Sequence, residues 1–443
     1  MDVAMEDASS PLDAQVDALL APLSLAEEAA YFGGLQAAGA APGLAVRRCA
    51  AGKGLFACRA FAAGDVVLRE APLVAIQQAA NRPAALVCAR CFRYVGSVEA
   101  QIAARLVGKP GAPAGVEELA SGAWRLPLAD GPAFALPPPH ACRGGCGELY
   151  CGSGCEAAAW ARHHRALCSG PGGNASSRDA LISLAEHTQR TNDVFGLVAQ
   201  LVAAVGLEAE AVASTSPGSD AFACLRAAWR PFAAAHRVPW ADCVSRPDDV
   251  AVGDEASFRA SLARLADSSR RRLAAALPRL AASFPALFRD RTFSHIMGLF
   301  ELNNLDVVVE SPVERFFLAV DDLEGPQRGG AMAVTQPLLD ALGSEYATAM
   351  DGTGFFPFVA CANHACDPSA ASSKAETDVD GGAVLVAVRD ISAGEEVTIC
   401  YIETSGVSLH DRRRALADYG FVCECARCVR EEAAAGRRAG KTK

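Results

Sequence analysis

Ten of the seventeen cysteines in this 443-residue chain stand at the short spacings that metal ligands adopt. The N-terminus carries scattered acidic residues instead of a basic start and an apolar run, so neither a signal peptide nor an organelle transit peptide is predicted. These acids are Asp2, Glu6, Asp7, Asp13 and Asp17. We therefore expect the protein to act in the nucleus and/or the cytoplasm, where thiols stay reduced. In such a compartment, clustered cysteines are better interpreted as metal ligands than as disulfides.

The first cluster consists of four pairs of potential ligands. The pairs are Cys88 and Cys91, Cys142 and Cys146, Cys151 and Cys155, and His164 and Cys168. Seven thiolates and one imidazole are enough for two tetrahedral zinc sites, and both would be closed, so these ions are predicted to be structural. Metal binding would supply much of the folding free energy of such a small unit. His163 is an adjacent candidate, but the spacing to Cys168 favours His164.

The second cluster is the triplet Cys423, Cys425 and Cys428 near the C-terminus. Three thiolates leave a tetrahedral zinc site one ligand short, so the fourth ligand must come from elsewhere in the chain. The best candidate is Cys366. This interpretation predicts that a distant loop and the C-terminal segment meet at one metal ion beside a shared pocket.

Six further cysteines are isolated among apolar residues. For these we predict buried packing positions. They are Cys49, Cys58, Cys224, Cys243, Cys361 and Cys400.

The spacing of the first cluster, with Trp160 four residues before His164, resembles a MYND zinc finger. In that family the ligand pairs interleave. The resemblance implies one zinc on Cys88, Cys91, Cys151 and Cys155 and another on Cys142, Cys146, His164 and Cys168. Fifty residues separate Cys91 from Cys142, far more than is usual, and the insert Lys109 to Pro139, rich in Ala, Gly and Pro, is interpreted as a loop extension.

Three other segments resemble the SET-domain methyltransferases, in the branch where a MYND finger interrupts the SET fold. They are Gly52-Lys-Gly-Leu-Phe56, Asn363-His-Ala-Cys-Asp-Pro368 and Ala393-Gly-Glu-Glu-Val-Thr-Ile-Cys-Tyr401. The first alone is a weak signal, since an ordinary hairpin turn has the same pattern. The cysteine triplet begins 22 residues beyond Tyr401, where a post-SET zinc site belongs. The order of these elements identifies the chain as a member of the SET and MYND domain-containing protein lysine methyltransferase family.

Local patterns agree with a mixed fold. Short runs rich in Val and Ile predict β-strands over Asp65 to Ile76, Leu305 to Val309, Val384 to Val388 and Val397 to Ile402. Apolar residues at helical spacing predict helices from about Arg178 to Phe288, apart from a loop near Ser214 to Ser219, with a packing role. No apolar run, including the stretch from Phe195 to Gly206, reaches the length of about 18 residues of a membrane span, so no membrane is expected.

The predicted fold class is α+β: a β-rich SET fold interrupted by a MYND zinc finger and a helical insert, followed by a zinc-binding post-SET segment. The predicted units are an N-terminal extension (1–43), the N-terminal part of the SET fold (44–87), the finger with its long insert (88–168), the helical insert (169–290), the SET catalytic core (291–403), the post-SET zinc segment (404–430) and a basic tail (431–443). The C-terminal helical repeat domain of animal family members is expected to be absent, because about fifteen residues follow Cys428.

The resemblance also implies roles for individual residues. Tyr401 would be the catalytic tyrosine lining the lysine channel, with Tyr419 as a second channel residue. Gly52, Lys53, Gly54, Asn303, Asn363, His364, Tyr401 and Phe421 would contact S-adenosylmethionine. Tyr401 could instead be a core tyrosine, His364 a loop histidine and Asn303 a turn residue. Two positions depart from the family: Ala365 replaces a serine, and Ser369 replaces an asparagine, which is expected to weaken a local hydrogen bond.

The predicted function is S-adenosylmethionine-dependent methylation of protein lysines, in histone tails or other proteins, with three structural zinc ions. The alternative is a catalytically weak or inactive scaffold that binds proline-containing partner peptides through its finger. The net charge of −10 and the few basic residues of the finger argue against direct nucleic-acid binding. Basic protein substrates fit this charge better.

Overall fold

The computed structural model describes residues 10–50, 52–216, 218–246 and 254–441. Residues 1–9 of the predicted N-terminal extension lie outside these ranges, with three of the five acids named above. So do one residue of the predicted loop near Ser214 to Ser219, residues 247–253 of the predicted helical stretch and the last two residues of the predicted basic tail. Within them, helices and short β-sheets pack together as the α+β class requires.

The strands are β1 (Leu44–Cys49), β2 (Gly52–Ala57), β3 (Val66–Glu70), β4 (Val74–Gln77), β5 (His140–Ala141), β6 (Leu149–Tyr150), β7 (Asn304–Val309), β8 (Met350–Phe355), β9 (Asn363–His364), β10 (Ala370–Ser372), β11 (Ala383–Ala387) and β12 (Glu396–Ile399).

The helices are α1 (Pro11–Leu20), α2 (Leu25–Ala37), α3 (Val98–Leu106), α4 (Val116–Ser121), α5 (Ser153–Ala159), α6 (Arg165–Leu167), α7 (Arg178–Arg190), α8 (Val194–Thr215), α9 (Ala221–Ala233), α10 (Trp240–Cys243), α11 (Glu255–Ala276), α12 (Pro278–Ser283), α13 (Asp290–Asn303), α14 (Pro312–Asp321), α15 (Gly325–Leu342), α16 (Leu409–Ala415) and α17 (Ala426–Lys441).

Three small sheets surround the position where the predicted site residues meet. Their strand orders are β1-β2-β12-β9, β10-β11-β3 and β4-β8-β7, and the hairpin β5-β6 belongs to the finger. All pairings are antiparallel except that of β12 with β9, which brings Thr398 beside Asn363 and Ile399 beside His364. Because β12 also pairs with β2, it lies between two of the predicted cofactor segments.

The predicted strands are confirmed, with bounds that differ by one to a few residues. The run from Asp65 to Ile76 is two strands, because Pro72 lies between them and cannot donate to a ladder. The run that was predicted to end at Ile402 leaves the sheet after Ile399.

The helices predicted from Arg178 to Phe288 are confirmed in the described part of that range, and they pack around α8. This helix buries Phe195, Leu201, Val202 and Leu207 against its neighbours. The expectation that its apolar stretch is too short for a membrane span was wrong, because α8 has 22 residues and a mean hydropathy of 1.6 in its most apolar window. That window is 72% buried within the protein, as is usual for a core helix.

The insert Lys109 to Pro139 is mostly without helix or strand, as the loop interpretation predicted, but it contains one α-helix that was not expected. Its helix α4 packs with α3, α14 and α15 around a separate apolar core that includes Leu119, Leu126, Phe316 and Phe317. Helices α14 and α15 themselves were not anticipated. A few large apolar anchors are enough to order a segment that is otherwise rich in Ala, Gly and Pro.

The isolated cysteines only partly occupy buried positions. Cys224, Cys243 and Cys361 are buried as predicted. Cys49 and Cys400 are half-buried, and Cys58 is exposed, so the prediction was wrong for these three. Cys58 follows the end of β2, where the chain leaves the sheet, and a single-residue pattern does not show that.

The carboxylate of a half-buried glutamate supports the turn that leads to the site. Glu70, at the end of β3, accepts hydrogen bonds from the backbone N–H groups of Phe358 and Val359 at 2.9 and 3.0 Å. Burial raises the pKa of Glu70 from 4.5 to about 7, against the effect of these two bonds. Between these pH values the native protein retains a proton that the unfolded chain has lost.

This pKa predicts that the free energy of unfolding decreases as the pH rises from about 4.5 through about 7. The variant Glu70→Gln, which cannot ionise, should lack this decrease, so that its stability relative to the native protein increases by about 1–3 kcal/mol across the interval. Thermal unfolding at several pH values would measure the difference. The exposed residue Glu376 provides the control Glu376→Gln, and a difference that does not depend on pH would refute the prediction.

Candidate active site and metal centres

Two four-residue clusters form in the segment that was predicted to be a zinc finger. The ligand atoms of Cys88, Cys91, Cys151 and Cys155 all lie within 4.8 Å of one another, and so do those of Cys142, Cys146, His164 and Cys168. His164 Nε2 lies 3.2 Å from Cys142 Sγ and 3.3 Å from Cys146 Sγ. His163 is outside both groups, and the pairs interleave as the family resemblance implied.

The third cluster joins Cys366 to Cys423, Cys425 and Cys428. The sulfur of Cys366 lies 3.5 Å from that of Cys428 and 3.9 Å from that of Cys423. Ligands of tetrahedral zinc with bonds of about 2.3 Å are about 3.8 Å apart, so the donor atoms of this cluster fit a zinc ion. Arg412, only 1% exposed, donates to Cys428 Sγ at 3.6 Å and to Glu431 at 2.8 Å, so a cation accompanies the thiolates.

The predicted cofactor residues Gly54, Lys53 and Asn363 are in direct contact. Asn363 Nδ2 donates to the carbonyl oxygen of Lys53 at 2.9 Å and to Glu396 Oε1 at 2.7 Å. These two bonds use both amide hydrogens, which leaves Asn363 Oδ1 as the acceptor for a ligand. A Cβ atom on Gly54 would lie 2.5 Å from Glu396 Oε1 and 3.2 Å from Asn363 Nδ2, so a side chain at this position would force the Glu396 carboxylate to move. Gly52 has φ +99° at the start of β2, as a hairpin turn requires.

Glu396 was not among the predicted site residues. It is the second glutamate of the Gly-Glu-Glu segment and the first residue of β12. The motif was visible in the sequence, but its contact with Asn363 depends on the parallel pairing of β12 with β9. No sequence spacing reveals that pairing.

Lys53 and Asn303 lie at one edge of the site. The Lys53 ammonium donates to the carbonyl of Ala234 and lies 5.6 Å from the centre of the Phe32 ring, so its side chain binds the protein itself. Asn303 ends α13 and donates to the carbonyls of His236 and Leu299 at 2.8 and 2.7 Å. Its amide oxygen is therefore the atom that remains for a ligand.

Tyr401, Tyr419 and Phe421 form an aromatic group. The ring centres of Tyr401 and Tyr419 are 5.1 Å apart, and Phe421 lies 6.4 Å from Tyr401. The Tyr401 hydroxyl donates to the carbonyl of Ala362 at 2.7 Å. Burial, with the neighbouring Tyr419, raises the pKa of Tyr401 well above its ordinary value, so the phenol stays neutral. Phe421 is 37% exposed and borders solvent.

His364 lies between this aromatic group and the third cluster. Its Nδ1 accepts a hydrogen bond from the Tyr401 backbone N–H at 3.0 Å, and its Nε2 lies 3.3 Å from Cys366 Sγ. Both ring nitrogens therefore contact the protein, and the ring face and backbone remain for a ligand. The ring centre of Phe421 is 6.0 Å away.

The two residues that depart from the family pattern, Ala365 and Ser369, are both buried and hydrogen-bonded. Ala365 is buried, and its N–H donates to the carbonyl of Ile399 at 2.9 Å. Ser369 is buried and accepts from the Thr398 N–H at 2.9 Å, while its own N–H donates to Thr398 Oγ1 at 3.1 Å. A local hydrogen-bond pair is thus present where the loss of asparagine was expected to weaken one.

The SET-domain family model matches residues 52–402, which include the glycine turn, the Asn363 segment and Tyr401. The chain therefore belongs to the SET-domain family. The predicted membership in the SET and MYND domain-containing lysine methyltransferases is confirmed.

Individual relatives match over most of their length. The chain is 37% identical over 462 aligned residues to the histone-lysine N-methyltransferase ATXR2 of Arabidopsis thaliana, covering 94% of this chain and 97% of that protein. It is 29% identical to the human protein-lysine N-trimethyltransferase SMYD5, covering 86% and 85%. A shorter segment, 18% of each chain, is 40% identical to the human histone-lysine N-methyltransferase SMYD3.

The contacts of Gly54 predict that Gly54→Ala weakens S-adenosylmethionine binding by about 10-fold or more, because the added methyl group displaces the Glu396 and Asn363 side chains. Calorimetric titration of the intact protein would measure the dissociation constant. Gly34→Ala is the matched control, since a Cβ atom there meets nothing within 4 Å. Equal cofactor affinity in the two variants would rule out this role for Gly54.

Proposed function

We propose that this protein transfers methyl groups from S-adenosylmethionine to lysine side chains of proteins, including histones. The observation that carries the proposal is the convergence of the Gly54 turn, Asn363 and the aromatic group of Tyr401 around one strand, β12. The relatives are named histone-lysine and protein-lysine methyltransferases, which supports this reaction. The scaffold alternative is not favoured.

The cofactor would be held mainly by backbone and amide groups. Gly54 leaves room beside β2, the oxygen of Asn363 accepts a hydrogen bond, and the ring of Phe421 offers an apolar face. Gly52, the backbone of Lys53, the backbone of His364 and the oxygen of Asn303 complete the proposed contacts. S-adenosylmethionine supplies the methyl group from a sulfonium, and this chemistry needs no metal ion.

The aromatic group prepares the lysine for reaction. A free lysine has a pKa of about 10.4, and its amine must be neutral to act as a nucleophile. A narrow apolar channel bordered by the contacting rings of Tyr401 and Tyr419 would disfavour the ammonium form and exclude water. The neutral Tyr401 hydroxyl adds no negative charge that would stabilise the ammonium form. Its proton is directed to Ala362, so its oxygen can accept weak C–H···O contacts. Alignment of the reacting atoms supplies most of the remaining rate enhancement, about 7–11 kcal/mol.

We further propose that zinc occupies the three clusters and that all three ions are structural. Each cluster provides four sulfur or nitrogen donors at mutual distances that suit tetrahedral zinc, with no position left open for substrate. Two ions would fold the finger. The third would hold the C-terminal segment against the residues that carry Tyr401.

The remaining assignments are proposals of the same kind. We propose the same domain boundaries that the sequence predicts. Histone tails or other proteins would provide the substrate lysine, and proline-containing peptides would bind the finger. The nucleus and/or the cytoplasm would be the place of action.

The role of Tyr401 predicts that Tyr401→Phe lowers methyl transfer by roughly 100-fold, because the hydroxyl that orients the reacting groups is lost. Radiolabelled S-adenosylmethionine, incubated with histones or a cell extract, would measure the transfer. Tyr346→Phe is the matched control, since Tyr346 packs against Phe317 in the separate core of α14 and α15. Labelling by the native protein no greater than by Tyr401→Phe would favour the scaffold.

The three clusters predict three zinc ions per chain in metal analysis of the purified protein. Cys366→Ser should lower the content to two, because it removes one ligand of the C-terminal cluster. The exposed Cys58, outside the clusters, gives the control Cys58→Ser, which should retain three ions. A native content of two that is unchanged in Cys366→Ser would exclude the C-terminal zinc site.

A further inference from the structure

The catalytic tyrosine and the C-terminal metal cluster are both held by the short segment 362–366. The carbonyl of Ala362 accepts the Tyr401 hydroxyl at 2.7 Å, and His364 Nδ1 accepts the Tyr401 backbone N–H at 3.0 Å. Two residues further on, Cys366 provides a sulfur to the cluster. Tyr401 is therefore fixed at both its backbone and its hydroxyl by the segment that also binds the metal.

The hydrogen bonds of the His364 ring determine its tautomer. A backbone N–H can only donate, so Nδ1, which receives the Tyr401 N–H, has no proton of its own. In a neutral imidazole the proton is then on Nε2, which lies 3.3 Å from Cys366 Sγ. The ring thus donates to the sulfur with one nitrogen and accepts from Tyr401 with the other.

We propose that His364 is a positioning residue that couples the C-terminal metal cluster to Tyr401 through an Nε2–H···S hydrogen bond to Cys366. The inference depends on the proposed function only in that Tyr401 is taken as the catalytic residue. A metal-bound Cys366 sulfur holds the ring, and the ring holds the Tyr401 backbone. The C-terminal metal would in this way act on the geometry of the site without touching the reacting atoms.

The negative charge of the metal-bound thiolates explains why the cluster accepts a hydrogen bond from His364. Four thiolates around one divalent zinc ion would carry a net charge of −2, and the side chains of Arg412 and His364 approach the sulfurs from different sides. Arg412 donates to Cys428 Sγ at 3.6 Å from the post-SET helix α16, and His364 approaches Cys366 from β9. Hydrogen bonds to metal-bound thiolates of this kind retain the metal and orient the ligand.

Two variants of His364 each remove one of its two hydrogen bonds and retain the other. An asparagine side chain places an oxygen near the position of Nδ1, and a glutamine side chain places an amide donor near the position of Nε2. His364→Asn therefore keeps an acceptor for Tyr401 and loses the donor to Cys366. His364→Gln keeps the donor and loses the acceptor.

One measurement reports on the C-terminal cluster, and a second reports on the Tyr401 backbone. Cysteine alkylation with mass spectrometry measures how easily each cluster releases its sulfurs, and the finger clusters serve as an internal control for folding. Amide hydrogen exchange of peptides covering residues 396–402 measures the protection of the Tyr401 N–H. Neither measurement requires methyl transfer, so a failure of the proposed function would leave this test intact.

We expect His364→Asn to accelerate alkylation of the C-terminal cluster by about 10-fold, while the finger cysteines keep their native rate. His364→Gln should leave the cluster near its native rate and accelerate exchange at Tyr401 by about 10-fold, the effect of losing one hydrogen bond. The surface variant His410→Asn, at a side chain that is 85% exposed, should change neither rate. Native alkylation of the C-terminal cluster in His364→Asn would overturn the proposal.

The native protein provides a second test that does not depend on the folding of the variants. Gradual addition of a zinc chelator should increase exchange at Tyr401 in step with alkylation of Cys366, whatever the state of the finger cysteines. If the C-terminal cluster loses its metal while exchange at Tyr401 stays at its native rate, the coupling does not exist.

Discussion

The junction of Cys366 with the C-terminal cysteines determines the geometry of the site more than any other contact. Their ligand atoms lie within 4.8 Å of one another although Cys423 is 57 residues from Cys366 in the chain. Tyr419 and Phe421 lie just before this triplet, so their place beside Tyr401 depends on it. Arg427 strengthens the same junction, since it donates to the carbonyls of Cys366 and Thr404. Without this junction, Tyr401 would lose the two aromatic rings that pack beside it.

Strand β12 brings together the residues that are proposed to bind the cofactor. It pairs with β2 through Glu396 and Val397 and with β9 through Thr398 and Ile399. The Glu396 carboxylate then orients the Asn363 amide, and the missing side chain of Gly54 leaves space for both. Two paired residues with each neighbouring strand are thus enough to bring together β2 and β9, which are more than 300 positions apart in the sequence. The reason is that strand pairing fixes the register of the side chains on the paired strands.

Some of the fold was predictable from local patterns and some was not. The strands near Val384 and Val397 and the helices between 178 and 288 were predicted from residue type and apolar spacing, which act over a few residues. The short helix α4 within the insert 109–139 was missed because the apolar core that it joins includes α14 and α15, which lie about 200 residues later. Likewise, a cysteine among apolar neighbours is no guide to burial, as the exposed Cys58 shows.

The sequence by itself determined the ligand groups, the order of the SET segments and the choice of Tyr401, because side-chain chemistry and short spacings identify metal ligands and motifs. Only the tertiary structure decided how these parts act on each other. It placed Glu396 against Asn363, directed both ring nitrogens of His364 toward the protein, and set the His364 ring between Tyr401 and Cys366. These contacts join side chains whose proximity arises from strand pairing and cluster formation, and no local pattern contains that information.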